Sequence, residues 1–116
     1  MRFTRQQRLL KAKEYQFVFE QAYKSTDPYF TVLARANQQQ FTRLGLTIAK
    51  KRVLLAVKRN RIKRLIRESF RHHQFSLAGI DAVVLARNGI DQINNRTLLD
   101  SLARHWLKLS RRCKKS

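Results

Sequence analysis

The sequence predicts a single α+β domain on three observations. The chain has 116 residues, the length of one ordinary domain, and at that length it buries about two-thirds of the surface its unfolded form exposes. Hydrophobic residues make up 43% of it, too many for a disordered basic tail even at a formal charge of +19. Segments with helical periodicity alternate with short β-branched runs in the order helix, two or three strands, helix, strand, helix. Three glycines, one proline and no internal repeat leave room only for short linkers. Residues 1–116 therefore read as one unit, with a basic leader over about 1–10 and a basic C-terminal end over about 110–116.

The first helix is expected over residues 11–23, where Tyr15, Val18, Phe19 and Ala22 follow the i, i+3, i+4, i+7 spacing of one face and Phe17 and Tyr23 fall off it. Ser25, Thr26, Asp27 and Pro28 end it, because the residue before proline is pushed out of the helical region. Residues 29–36 and 44–49 are rich in β-branched and aromatic side chains and flank a polar run, Asn37 to Gln40, which reads as two antiparallel strands. A short third strand is expected from Val53. A long helix follows over residues 55–73, with Ile62, Leu65, Ile66, Ser69 and Phe70 on one stripe. Residues 80–86, small and branched apolar side chains between Gly79 and Asn88-Gly89, fit a central strand buried on both faces. Asn94 can cap a last helix over residues 95–112, with Leu99, Leu102, Trp106 and Leu109 on its apolar face.

Twenty-six Lys and Arg stand against seven Asp and Glu. A compact chain with that imbalance repels itself and calls for a polyanionic partner, which acidic small molecules do not supply. One cysteine, Cys113, makes no intrachain disulfide and fits a reducing cytoplasm. The longest apolar runs are five residues, against roughly 20 needed to span a bilayer. The N-terminus lacks the apolar stretch of a signal peptide.

The charge is focused. Between Lys50 and Arg71 the only acid is Glu68. In helical projection Arg59, Lys63 and Arg67 stack i, i+4, i+8, beside Asn60, Arg64, Arg67 and Arg71. Like charges at i, i+4 destabilise a helix, so stability gives no reason for the stack, whereas a row of phosphates does. Arginine predominates, which suits bidentate phosphate contacts. Tyr15 and Phe19 have the spacing either to stack on unpaired bases or to pack in the core. His72, His73, His105 and Cys113 lack zinc spacing and read as surface or helix-end residues. No paired carboxylates, no Ser, His and Asp grouping and no phosphate-cradling glycine loop can be proposed, so nothing suggests catalysis by the chain alone.

The segment KRNRIKRLIRESF, residues 58–70, closely resembles the signature of the bacterial ribonuclease P protein component, the basic subunit of the RNA enzyme that removes the 5′ leader of precursor tRNA. LGLTIAKKR (44–52), EYQFVFE (14–20) and DAVVLAR (81–87) fall in the family's order, so the resemblance covers essentially the whole chain. It implies a single-domain α/β sandwich in the order helix-strand-strand-strand-helix-strand-helix, with a left-handed βαβ crossover, against the usual hand. It implies catalytic-RNA contacts at Arg59, Asn60, Arg61, Lys63, Arg64 and Arg67, with Lys50, Lys51 and Arg52 as accessories. It implies a cleft for the single-stranded leader at Tyr15 and Phe19, with Tyr29, Phe30, Val32 and Arg35. The expected partners are the catalytic ribonuclease P RNA and precursor tRNA. The expected chemistry is hydrolysis by Mg2+ held by the RNA and substrate, none bound tightly by the protein, leaving 5′-phosphate ends.

Three other classes share parts of this pattern. A ribosomal or general RNA-binding protein would share the basic helix but not the cleft. A membrane-active protein needs an exposed apolar helix face, and here those stripes are required by the core. A DNA-binding helix-turn-helix needs a short preceding helix and tight turn that the long basic helix lacks.

Overall fold

The computed structural model describes residues 12–37 and 42–114. The basic leader and the glutamine run at 38–40 lie outside them. Helix α1 (Ala12–Glu20) is followed by strands β1 (Tyr23–Thr26), β2 (Phe30–Ala36) and β3 (Arg43–Thr47). Helix α2 (Ala56–His73), strand β4 (Ile80–Ala86), a 3-10 turn (Ile90–Gln92) and helix α3 (Asn95–Lys114) complete the chain. The α+β class and the order of elements agree with the sequence reading.

The sheet runs β1-β2-β4-β3, with β1, β2 and β4 antiparallel in turn and β3 parallel to β4. The strands on either side of the polar run do run antiparallel, as expected, but they are not neighbours: β4, made almost forty residues later, lies between them. The third strand is also not at Val53, where the chain turns. It is β1, in residues expected to finish the first helix. Asp27 Oδ1 accepts the amides of Tyr29 and Phe30, both at 2.9 Å, so the Asp-Pro pair makes the corner between β1 and β2 and not a helix stop.

On one sheet face Phe30, Val32 and Ala34 of β2, Leu44 of β3 and Ile80, Ala82, Val84 and Ala86 of β4 join one apolar cluster with α2 and α3. Helix α2 contributes Ile62, Ile66 and Phe70, and α3 contributes Leu98, Leu102, Trp106, Leu109 and Cys113. Leu98, and not Leu99, takes the core position. Trp106 meets Phe70 edge-on at 5.7 Å and donates its indole N–H to Ser69 Oγ at 2.9 Å, which satisfies the one polar atom such a buried ring carries. The C-terminal end, expected as a basic tail from about 110, is helical to Lys114. Cys113 is buried there, and burial pushes its thiol pKa up.

The opposite face is organised by register into cross-strand rows. Arg35, Asp81 and Arg43 form the first, Leu33, Val83 and Gly45 the second, and Thr31, Leu85 and Thr47 the third. Helix α1 docks on the middle row, with Val18 packed on Val83 and Tyr15, Phe17 and Ala22 around them. The Tyr15 ring fills the space above Gly45, where an added β-carbon would lie 2.7 Å from it. The charged row anchors the helix. Buried Asp81 takes Nε of Arg43 at 2.9 Å and the Asn37 amide at 2.7 Å, and Arg43 reaches on to Glu14 at 2.8 Å. A buried carboxylate held by a guanidinium fork and an amide has its desolvation cost offset, and removing one partner would leave it exposed to the full penalty.

Candidate nucleic-acid interface

Two basic surfaces emerge. The first is the outer side of α2, whose stripe of Ile62, Ile66, Ser69 and Phe70 is buried and therefore turns the intervening residues outward. Asn60 and Arg64 are exposed there, and Lys63 and Arg67 are half-exposed. Two of the expected contact residues, Arg59 and Arg61, are as partly exposed as Lys63 and Arg67 and are also hydrogen-bonded to the fold. Arg61 donates to the carbonyls of Ile93 (2.7 Å) and Asp91 (3.4 Å) and to Asn95 Oδ1 (2.9 Å), tying α2 to the start of α3. Arg59 folds back onto the carbonyls of Val53 (2.9 Å) and Leu54 (2.8 Å). Both facts follow from contacts across the chain that helical projection does not contain. Glu68, the single acid of α2, has its pKa lowered chiefly by a hydrogen bond from Arg71, with His72 at 3.1 Å adding to it.

The second surface is the third row of the sheet, which α1 leaves open. Thr26, Thr31, Thr47 and Leu85 floor a groove of about 540 Å³, and Lys24, Lys51, Arg52 and Arg87 rim it. Its lining carries four cations and no acid. Lys51 and Arg52 belong also to the approach to α2, so the accessory residues sit where the two surfaces meet. Lys50 is exposed beside them. Arg52 donates to Asn88 Oδ1 at 3.2 Å, and Arg87 to the Asp27 carbonyl at 3.2 Å, which fixes the rim.

The expected cleft residues divide by strand parity. Phe30 and Val32 are fully buried in the main core, on the sheet face away from α1, and Tyr29 packs against that same core. Phe30 and Val32 do not line the α1 face, because period-2 alternation sends them to the opposite side from Arg35; Tyr29 precedes the strand and is placed by its packing on the core. Arg35 is on the α1 face but clamped, donating to the Phe17 carbonyl at 2.6 Å with its guanidinium 3.7 Å from the Phe17 ring centre. Tyr15 lies between helix and sheet. Phe19 points outward, half exposed, while Phe17 takes the packing position expected of it. The residues that do floor the groove, Thr31 and Leu85, alternate with Phe30 and Val84, and that parity was the available signal.

A Ser, His and Asp grouping, not found by spacing, assembles beneath the β1–β2 corner. His105 Nδ1 and Ser25 Oγ share a hydrogen bond of 2.7 Å, and His105 Nε2 faces Asp27 Oδ2 at 3.2 Å without hydrogen-bond alignment. Ser101 donates to the same Asp27 oxygen. Ser25 and His105 are each 4% exposed, so this is a buried strut and offers no accessible nucleophile. Burial holds His105 below its ordinary pKa despite Asp27. Among the described residues no group of three or more His, Cys, Asp or Glu side chains could hold a metal ion.

The sequence model of the family Ribonuclease P matches residues 3–110. The chain belongs to the ribonuclease P protein family. The ribonuclease P protein component of Pseudoalteromonas atlantica is 49% identical over 114 residues, covering 98% of this chain and 95% of that protein. That of Methylococcus capsulatus is 50% identical over 111 residues, covering 96% and 87%. Among solved structures, the Staphylococcus aureus ribonuclease P protein superposes with a TM-score of 0.79 at 30% identity, covering 90% of this chain and 94% of that one. The Thermotoga maritima protein gives 0.75 at 28% identity, covering 90% and 96%. The chain is accordingly the protein subunit of a ribonucleoprotein endoribonuclease of tRNA processing; the protein of that family is not catalytic alone, and its partner is an RNA. Among the described residues no helix is long and apolar enough to cross a membrane.

Proposed function

We propose that the chain binds the catalytic ribonuclease P RNA through the outer face of α2 and holds the single-stranded 5′ leader of precursor tRNA in the groove over the third sheet row. The observation that carries this reading is the groove itself: an open strip of sheet beside α1, floored by hydroxyls and one leucine and rimmed by four cations with no acid. Cations at a rim take phosphates, and a floor with few directional groups takes a strand with little regard to base sequence. Asn60, Lys63, Arg64 and Arg67 face the catalytic RNA, with Lys50, Lys51 and Arg52 at the junction. Arg59 and Arg61, partly exposed on the same helix, are held in place by hydrogen bonds to backbone carbonyls.

Phosphodiester hydrolysis is assigned to Mg2+ held by the RNA and substrate, which supplies the metal-assisted chemistry. The residues of this chain do something else. Their charge lowers the repulsion between two polyanions, and the groove orients the leader so that the scissile bond is placed by binding at a distance from it. The cytoplasm, where Cys113 stays reduced, is the compartment that fits. The test is precursor-tRNA cleavage at low magnesium by a bacterial ribonuclease P RNA, with and without the chain, and by the chain alone. Stimulation only in the presence of the RNA supports the reading; no stimulation of a folded RNA that a relative does stimulate would reject it.

A further inference from the structure

The turn leading into α2 carries its apolar side chains on the outside. Leu54 is 79% exposed, Leu55 56% and Val57 73%, three large hydrophobics within four positions. They are held there. Val53 is buried in the core, and the amides of Arg52 and Val53 donate to the Ala49 carbonyl at 3.0 and 3.3 Å. From the other side the Arg59 guanidinium grips the carbonyls of Val53 and Leu54. The amides of Lys58 and Arg59 close on the Leu55 carbonyl at 3.1 and 3.0 Å. Keeping apolar carbon in water is unfavourable, and a loose turn would relieve it by folding the leucines inward; this one is pinned at four points against doing so.

The position of the cluster indicates its occupant. Val57 stands i−3 from Asn60 and i−7 from Arg64, so it heads the exposed row on the outer face of α2. No acid occurs from Ala49 to Arg67, while Lys50, Lys51, Arg52 and Lys58 surround the leucines in sequence. Asp91 offsets Lys58 at 3.6 Å, but Lys50, Lys51 and Arg52 leave the apolar tip set in predominantly positive charge, complementary to a partner that presents apolar surface and dense negative charge together. An unpaired nucleotide does, with an apolar base face a few ångströms from its phosphates, and aliphatic side chains do pack against unstacked bases.

We propose that Leu54, Leu55 and Val57 form an apolar platform for an unpaired nucleotide of the RNA bound along α2, adding a salt-insensitive contact to an otherwise electrostatic interface. This rests on the reading of α2 as the face for the catalytic RNA. Cation–phosphate contacts release counterions and set the slope of affinity against salt, whereas an apolar contact shifts affinity at every salt concentration and leaves the slope alone.

The experiment measures binding of the full chain to a bacterial ribonuclease P RNA over a salt series for wild type, Leu54→Ser, Val57→Ser, Leu54→Met and Arg64→Ala, with thermal melting as a check on folding. Leu54→Ser and Val57→Ser are expected to lose about tenfold in affinity at all salts with an unchanged slope, and Leu54→Met to stay near wild type. Arg64→Ala should instead flatten the slope. A flattened slope for Arg64→Ala with wild-type affinity for both serine variants would overturn the platform alone. An unchanged slope for Arg64→Ala would remove the reading of α2 on which it rests. Concentration-dependent dimers, or retention on phosphatidylserine vesicles, abolished by Leu54→Ser while RNA affinity is untouched would assign the cluster to a second copy or to a lipid surface and overturn the proposal.

Discussion

The ring of Tyr15 occupies the space a side chain at Gly45 would need, its Cε1 and Cζ 2.7 Å from where a β-carbon would stand. Gly45 is thus kept small by the close approach of the Tyr15 ring. Gly45→Ala is expected to push the Tyr15 ring and α1 outward and to destabilise the protein by about 1–3 kcal/mol, as overpacking generally does. Thermal melting checks it, and Tyr15→Leu in the Gly45→Ala background should recover part of the loss.

Arg64 and Arg61, three residues apart on α2, are expected to fail in opposite ways. Arg64→Ala should leave the melting temperature within a degree or two and reduce the salt slope of RNA binding by somewhat under one. Arg61→Ala removes donors from the carbonyls of Asp91 and Ile93, so it should lower stability by about 1–2 kcal/mol. Equal melting temperatures for the two variants would contradict this division.

The groove predicts discrimination between substrates. Arg87→Ala and Lys24→Ala should weaken binding of precursor tRNA more than mature tRNA, which has no leader to lose. A parallel loss on both RNAs would move the leader away from this groove.

The strut under the β1–β2 corner predicts the direction of a pH dependence. Burial, outweighing the nearby Asp27 carboxylate, lowers the His105 pKa from its ordinary 6.5, so the unfolded chain takes up a proton that the folded chain resists. Stability should therefore be full above pH 6.5 and fall as the pH drops through that value toward the folded pKa. Burial raises the pKa of Asp27, but the Ser101 hydroxyl and the amides of Phe30 and Tyr29 outweigh it and leave the value below 3.8. It adds a second loss in the same direction as the pH falls below 3.8. Melting temperatures of His105→Gln should show the upper step abolished and the lower one kept.

The elements legible in the sequence were those whose signal is local. Residues 80–86 announced β4 by an unbroken apolar run, and Asn94 announced α3, where its Oδ1 does accept the Thr97 amide at 2.8 Å. Strand β1 was not legible. It is four residues long, only Ser25 in it is buried, and its stability comes from pairing with β2 and from His105 eighty residues away. Strand partners were not legible either, because nothing local to β2 or β3 states that β4 lies between them. On α2 the periodicity separated core from surface correctly, but it did not show that Arg59 also bonds the carbonyls of Val53 and Leu54 just before the helix, or that Arg61 bonds those of Asp91 and Ile93 well beyond it. In the cleft, Phe30 and Val32 were grouped with Arg35 across a parity boundary that alternation alone would have drawn.

The central place of β4 also fixes a timetable. As synthesis proceeds, β1 and β2 can zip together locally, but β3 has no neighbour to join until residue 86 is made, and α2 must form in the interval. The nascent chain therefore carries an unfinished sheet through much of its synthesis. Lys24, exposed on the edge strand β1, puts a charge on a margin that stays open throughout, and charge at an edge disfavours the pairing of such half-built sheets with one another.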